Sequence, residues 1–280
     1  MDKFKSIGED KTMSEVNVIK QFEKKGYIVA KTDLKILDKI RNKITDLVRE
    51  KIKDKKILKL SDDDLLNKLH KFVNKKDINE IRFSIYNKLN FNNEIAEMYY
   101  GCAKDYLDQI VGNELAMQKK INLSIQMPKD KDSLLDMHSD IYAGESPFQV
   151  VVWIPLVNVS KTKSMFITTP NYNKKMNLDI LQKNKKSIKQ IYIKNRKKFH
   201  FVKVNYGEIL IFSPLILHGN TINVSEETRF SLNCRFKSLL SPYDVLVKSH
   251  RNIPNFYRPM NIKPMTKIGL NYINNLSQKL

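Results

Sequence analysis

Apolar residues recur every three or four positions through the first third of the chain. Leu34, Leu37, Ile40, Ile44, Leu47 and Val48 form one such stripe and predict a helix, with Thr32 or Asp33 placed to cap its start. Ser61 followed by Asp62, Asp63 and Asp64 marks another helix start, with a hydroxyl for an orphan N–H and acids facing the positive helix end. Ile78, Ile81 and Ile85 continue the period, as do Ile95, Met98, Tyr99, Tyr106 and Ile110. Ahead of these, Phe22 to Lys25 reads as a short helix closed by Gly26, with a strand at Tyr27-Ile28-Val29. Residues 1–17 are polar and are expected to lack order until Val18-Ile19.

The period changes near residue 120. Ile121 to Met127 alternates as a half-buried strand does, and Phe148 to Leu156 is β-branched and aromatic, as suits a buried one. Met165-Phe166-Ile167, Gln190 to Ile193, Phe199 to Val204, Ile209 to Phe212 and Phe230 to Phe236 extend the series, punctuated by Gly207 and Pro214. Residues 176–189 read as an insertion with a short helix around Leu178 to Leu181, and the tail from Pro264 reads as a last helix. Many short strands at this spacing predict a sandwich or barrel rather than a parallel sheet. The fold class is therefore α+β and one domain. Residues 1–120 form a mainly helical support, 121–245 a β core, and 246–280 a C-terminal extension.

Composition narrows the class. With 280 residues, 41% apolar and 29% charged, the chain has the make-up of an ordinary globular protein. No apolar run nears the roughly 20 residues that span a bilayer. The N-terminus lacks the apolar core of a signal peptide, so the expected location is the cytoplasm. Cys102 and Cys234, without CxxC spacing, read as reduced thiols. The net charge of +20 comes mostly from scattered lysines, which does not describe a nucleic-acid-binding face. Such a field would favour a small anionic substrate.

Three side chains carry the candidate chemistry. His138 and Asp140 stand in an HxD pair after a predicted strand, and His218 ends the apolar run Ile209 to Leu217. Two neutral imidazoles and one carboxylate can take one face of an octahedral Fe(II), leaving three positions for a chelating 2-oxo acid and O2. Arg229 follows the second histidine closely enough to pair with the far carboxylate of that acid, and Ser231 could add a hydrogen bond. Alternation puts Arg229, Ser231, Asn233 and Arg235 on one strand face, with Phe230, Leu232 and Phe236 on the other. The chain thus reads as an oxygenase that converts 2-oxoglutarate and O2 to succinate and CO2 while oxidising a C–H bond. Asp140 favours hydroxylation or desaturation over halogenation, because its carboxylate fills the place a halide would need. Tyr142, Glu145 and Gln149, next to the metal pair, are candidates for substrate contact, while His70, His200 and His250 read as packing or surface residues.

These residues resemble the Fe(II)/2-oxoglutarate-dependent dioxygenase superfamily, and within it the phytanoyl-CoA dioxygenase-like branch. The likeness starts at Phe22…Gly26-Tyr27 and runs through His138-Ser139-Asp140, His218 and Arg229. The stretches from Gly144 to Val157, Lys161 to Met165, and Arg235 to Leu239 with Ser241-Pro242-Tyr243 resemble a narrower group, the 2-oxoglutarate oxygenases of sporadic bacterial surface-carbohydrate gene clusters. The resemblance implies a double-stranded β-helix (jelly-roll) core with iron at its open end. It implies Gln126 and Trp153 as walls of the 2-oxoglutarate pocket, and a carbohydrate or sugar-linked precursor as substrate. The chain departs from the branch where Lys163 to Asn171 replaces its Asn-Gly…Pro-Gly-Ser-His segment, and where Asn220 replaces a small hydroxyl residue. A small-molecule or lipid substrate, and a jelly-roll binding module without catalysis, stay open as alternatives.

Overall fold

The structure, a computed structural model, describes residues 13–181, 188–241, 253 and 255–277. Residues 1–12, the insertion residues 182–187, His250 and the Pro242-Tyr243 part of the family-like stretch lie outside the described residues. The first described element is α1 (Met13–Lys25), so residues 13–17 are helical rather than without order. Gly26, at a φ of 74°, turns it into β1 (Tyr27–Lys31), and a Cβ there would sit 2.3 Å from Ile216 Cδ1.

The helical stripes form as the sequence reads. Asp33 caps α2 (Leu34–Ile52) by accepting from the Lys35 and Ile36 N–H groups, and Leu37, Ile40, Ile44 and Val48 are buried along one face. Ser61 caps α3 (Asp62–Lys68) by accepting from the Asp64 N–H at 3.2 Å. α4 (Ile78–Leu89), α5 (Glu94–Gly101) and α6 (Lys104–Ile110) complete this layer.

The remaining elements are β2 (Leu115–Gln118), β3 (Asn122–Gln126), β4 (Gln149–Pro155), β5 (Phe166–Thr168), α7 (Pro170–Leu181), α8 (Ile188–Asn195), β6 (Phe199–Phe201), β7 (Glu208–Phe212), β8 (His218–Gly219), β9 (Arg229–Ser238), β10 (Tyr257–Asn261) and α9 (Pro264–Ser277). They make two antiparallel sheets among the described residues. The larger runs β1-β7-β4-β9-β2-β10, with β3 also paired to β9; the smaller runs β6-β5-β8. The large sheet recruits β1 and β2 from the segment expected to be helical support, and β10 from the expected C-terminal extension.

The helices cover one face of the large sheet. Tyr99 of α5 stacks on Phe236 of β9 at 6.3 Å and donates its hydroxyl to the Val152 carbonyl of β4 at 2.7 Å. Phe230, Leu232, Cys234 and Phe236 face this layer within one apolar cluster shared by helices and sheet. Register decides what faces the other way. Gln126 pairs with Arg229, Ser124 with Ser231 and Asn122 with Asn233, while β4 sets Trp153 against Asn233 and Val151 against Arg235. Paired residues share a face, so β9 presents Arg229, Ser231, Asn233 and Arg235 together with these neighbours.

The segment from Gln190 to Ile193, expected as a strand, is part of helix α8. Its isoleucines suit a strand, but Ile188, Ile191 and Tyr192 also fall at helical spacing. Ile191 is buried, and the Tyr192 ring stacks on Phe166 of the small sheet at 4.6 Å, so tertiary packing overrides β propensity. Likewise α7 runs well ahead of the short helix expected around Leu178 to Leu181. Among the described residues no helix is long and apolar enough to cross a membrane. Ile44→Ala, which opens a cavity between α2 and its neighbours, is expected to lower the unfolding free energy by about 2–5 kcal/mol, read from urea denaturation.

Candidate metal centre

Backbone pairing brings the two histidines together. The His138 N–H donates to the His218 carbonyl and the His218 N–H to the His138 carbonyl, each at 2.9 Å. This bridge sets the imidazole centroids 4.3 Å apart. Asp140 is tied to the same connection, because its N–H and the Ser139 hydroxyl both donate to the Pro214 carbonyl, at 3.0 and 2.8 Å. One ligand atom from each of His138, Asp140 and His218 lies within 4.8 Å of the others.

The tautomers suit a metal. Each Nδ1 is 2.8 Å from a backbone carbonyl, of Asp136 for His138 and of Ile216 for His218. A carbonyl only accepts, so each Nδ1 carries the proton and each Nε2 keeps its lone pair. Both Nε2 atoms face Asp140 Oδ1, at 3.5 and 3.8 Å. Two neutral imidazole nitrogens and one carboxylate oxygen fit a divalent first-row metal with open coordination positions.

The second oxygen of Asp140 is held from behind. Arg235 Nη2 contacts Asp140 Oδ2 at 3.0 Å, its Nε lies 3.2 Å from Glu145 Oε1, and its Nη1 donates to Gln118 Oε1 at 3.1 Å. Glu145 continues to Gln149, and the Tyr257 hydroxyl of β10 donates to Gln149 Oε1 at 2.6 Å. Burial alone would raise the Asp140 carboxyl; the adjoining His138 imidazole and the Arg235 charge outweigh it and hold it below the usual carboxylate range. Burial pushes His218 down to about 4. Burial also opposes charge on His138, but the Asp140 carboxylate and the Asp136 carbonyl outweigh it and raise that imidazole above its ordinary value.

Arg229 lies on the same strand face as Arg235 and only 4% exposed. Its Nη2 donates to Ser124 Oγ at 3.2 Å, its Nε has no hydrogen-bond partner, and no carboxylate pairs with it among the described residues. Burial pushes it down to about 10. Ser231 Oγ, Gln126 Oε1 and Thr221 Oγ1 are likewise buried without partners. A buried cation with no anion, beside unfilled polar atoms, fits an absent anionic ligand. Metal ligands, Arg229, Arg235 and Trp153 line one cavity of about 120 Å3.

The structure thus brings His138, Asp140, His218, Arg229 and Trp153 to one cavity, with Ser231 and Gln126 packed on the same sheet face. It does not bring Glu145 and Gln149 to the cavity wall: Gly144, at a φ of 84°, turns the chain so that both are buried behind Arg235. Tyr142 is 38% exposed and also off that wall. His70 bonds Thr228 Oγ1 at 2.9 Å and His200 bonds the Tyr27 hydroxyl at 2.8 Å, each outside the ligand set. Cys102 and Cys234 are buried free thiols. Arg235 and Ser124 are the functional candidates that sequence reasoning left without a role, although Arg235 stood on the predicted polar strand face. Asn220, the departure two residues past His218, accepts from the Leu135 N–H at 2.6 Å and donates to the Ser133 carbonyl at 3.1 Å, which fixes the loop leading to His138.

No family model matches the sequence, and no curated protein does. The fold has solved counterparts. ThoJ as a nickel complex, described as a non-heme monooxygenase, superposes with a TM-score of 0.51 at 13% identity over 92% of this chain and 94% of that one. Its metal-free form gives a TM-score of 0.55 over the same shares and at the same identity. HygX from Streptomyces hygroscopicus, with nickel and 2-oxoglutarate bound, gives 0.48 at 11% identity over 82% and 88%. At this identity the ThoJ likeness is one of fold: this chain folds as that non-heme monooxygenase does.

Protons compete with a metal for His138 before they compete for His218, since the first titrates above and the second below the ordinary value. Affinity for Co(II) or Fe(II) in anaerobic titration is therefore expected to fall as the pH drops from the alkaline side through neutrality. A pH-independent affinity over that range would contradict the ligand set.

Proposed function

We propose that this protein is an Fe(II)- and 2-oxoglutarate-dependent dioxygenase that hydroxylates or oxidises a C–H bond of a small substrate. The observation that carries this reading is the buried, unpaired guanidinium of Arg229 in the cavity that holds the His138, Asp140 and His218 side chains. A facial set of two imidazoles and a carboxylate suits Fe(II), and a bidentate guanidinium suits the far carboxylate of 2-oxoglutarate. The two antiparallel sheets, with the cavity between them, are in this reading the halves of a double-stranded β-helix.

His138, Asp140 and His218 would hold the iron through two imidazole nitrogens and one carboxylate oxygen. Bound iron supplies the oxidation, in which 2-oxoglutarate, O2 and a substrate C–H become succinate, CO2 and an alcohol. Arg229 holds the cosubstrate's far carboxylate, and the Ser231 hydroxyl, now without a partner, adds a hydrogen bond. Trp153 closes that part of the cavity, and Gln126 sits beside Arg229 on the same sheet face. Phe212 and Met165 supply apolar wall and keep water away from the reacting C–H bond. Arg235 keeps Asp140 Oδ2 engaged, so that Oδ1 alone points at the two imidazoles. The resemblance of the sequence to oxygenases of surface-carbohydrate clusters supports a carbohydrate or sugar-linked precursor as substrate, and the net charge of +20 supports an anionic one.

Removing the anchor or a ligand tests the reading. Arg229→Ala is expected to weaken 2-oxoglutarate binding by about tenfold or more, read from the visible band of the anaerobic Fe(II) chelate. Asp140→Ala is expected to abolish substrate-dependent succinate formation. Undiminished turnover in the Asp140 variant rules the assignment out.

A further inference from the structure

The metal cavity is small for a substrate as well as a cosubstrate, at about 120 Å3. A groove of about 470 Å3 lies beside it, and Ser124, Leu135 and Asn233 line both. Ligand sites for drug-sized molecules run from roughly 300 to 1,000 Å3, so the groove is where the body of a substrate fits.

Helix α4 forms one wall of the groove and the loop from Asp132 to Leu135 the other, with β3 and Asn233 beneath. On α4, Phe83 is 64% exposed and stacks with Tyr86 at 6.4 Å, their planes 19° apart. Leu134 and Leu135 on the loop are exposed too, at 39% and 54%. Large apolar side chains exposed on two facing walls beside a cavity mark a binding groove rather than scattered surface. Nothing on α4 itself requires them, since its buried stripe is Ile78, Ile81, Ile85 and Leu89.

The polar groups define what lies against the aromatics. Asn122 donates to Asn233 Oδ1 at 2.9 Å, which leaves Asn122 Oδ1 and Asn233 Nδ2 without a partner among the described residues. Asp132 and Ser133 stand on the loop wall, and Arg82, exposed on α4, makes no ion pair among the described residues. An acyl chain would leave these amides, hydroxyl and charges unpaired. A ring with an apolar C–H face, hydroxyl edges and one negative group satisfies all of them.

Resting on the oxygenase reading above, we infer that this groove binds an anionic sugar, with one ring face on Phe83 and Tyr86, hydroxyls toward Asn122, Asn233 and Asp132, and its phosphate or carboxylate at Arg82. The end nearest Leu135 and Asn233 then delivers a C–H bond to the metal cavity.

Isothermal titration of the anaerobic protein loaded with Co(II) and 2-oxoglutarate tests this, with glucose 6-phosphate, glucuronate, glucose and octanoate as probes. At least one of the two anionic sugars is expected to bind, and more tightly than glucose or octanoate; which of the two binds tells phosphate from carboxylate. Phe83→Ala and Arg82→Gln, both at exposed positions, are each expected to weaken that binding by roughly five- to tenfold. Circular dichroism and the thermal midpoint report whether each variant is folded. Tighter binding of octanoate, no binding of either anionic sugar, or equal affinity in folded variants overturns the inference. Failure of the unsubstituted protein to bind 2-oxoglutarate in the same titration overturns the oxygenase reading instead.

Discussion

The metal centre depends on two backbone hydrogen bonds between His138 and His218. Side chains far apart in sequence reach a common point only when something fixes their backbones in register. Here that is a single antiparallel bridge, outside any long strand, with Asp140 tied back to Pro214 on the same connection. The rings need no further steering than the carbonyls of Asp136 and Ile216, which fix the tautomers. Close approach at this bridge leaves no room for a larger residue beside it: a Cβ on Gly219 would sit 2.8 Å from the Leu135 carbonyl oxygen and from the Phe166 ring.

Two arginines on one strand face divide the electrostatics. Arg235 is met by Asp140 and Glu145, so its charge is spent within the protein and orients a ligand. Arg229, six residues earlier and more deeply buried, meets a serine hydroxyl and no acid among the described residues. Leaving a charge in that state costs free energy that the fold must carry until an anion arrives. The asymmetry separates a cation neutralised within the protein from one that lacks an acid partner among the described residues.

Much of this was legible in the sequence, and the failures have physical causes. Helices α2 to α5 follow stripes whose burial needs only local spacing, and β9 was read correctly down to which residues share a face. Strands β2 and β10 were missed because they are short and carry no alternation; β10 even contains Pro259, and both exist through pairing with distant chain. Helix α8 was read as a strand because isoleucine and tyrosine suit both states, and only its packing over Phe166 decides. Glu145 and Gln149 were attached to the substrate by nearness to the HxD pair. A left-handed turn at Gly144 sends them instead into the support behind Asp140.

Trp153 is the chain's one indole, and it stands in the wall of the metal cavity. Its emission therefore reports on that cavity with no background from other tryptophans. A metal ion with unpaired d electrons bound nearby would quench it, and a carboxylate seated at Arg229 would change the polarity around it. The protein carries its own optical probe of occupancy, so filling of the site can be followed by light without a label or a turnover assay.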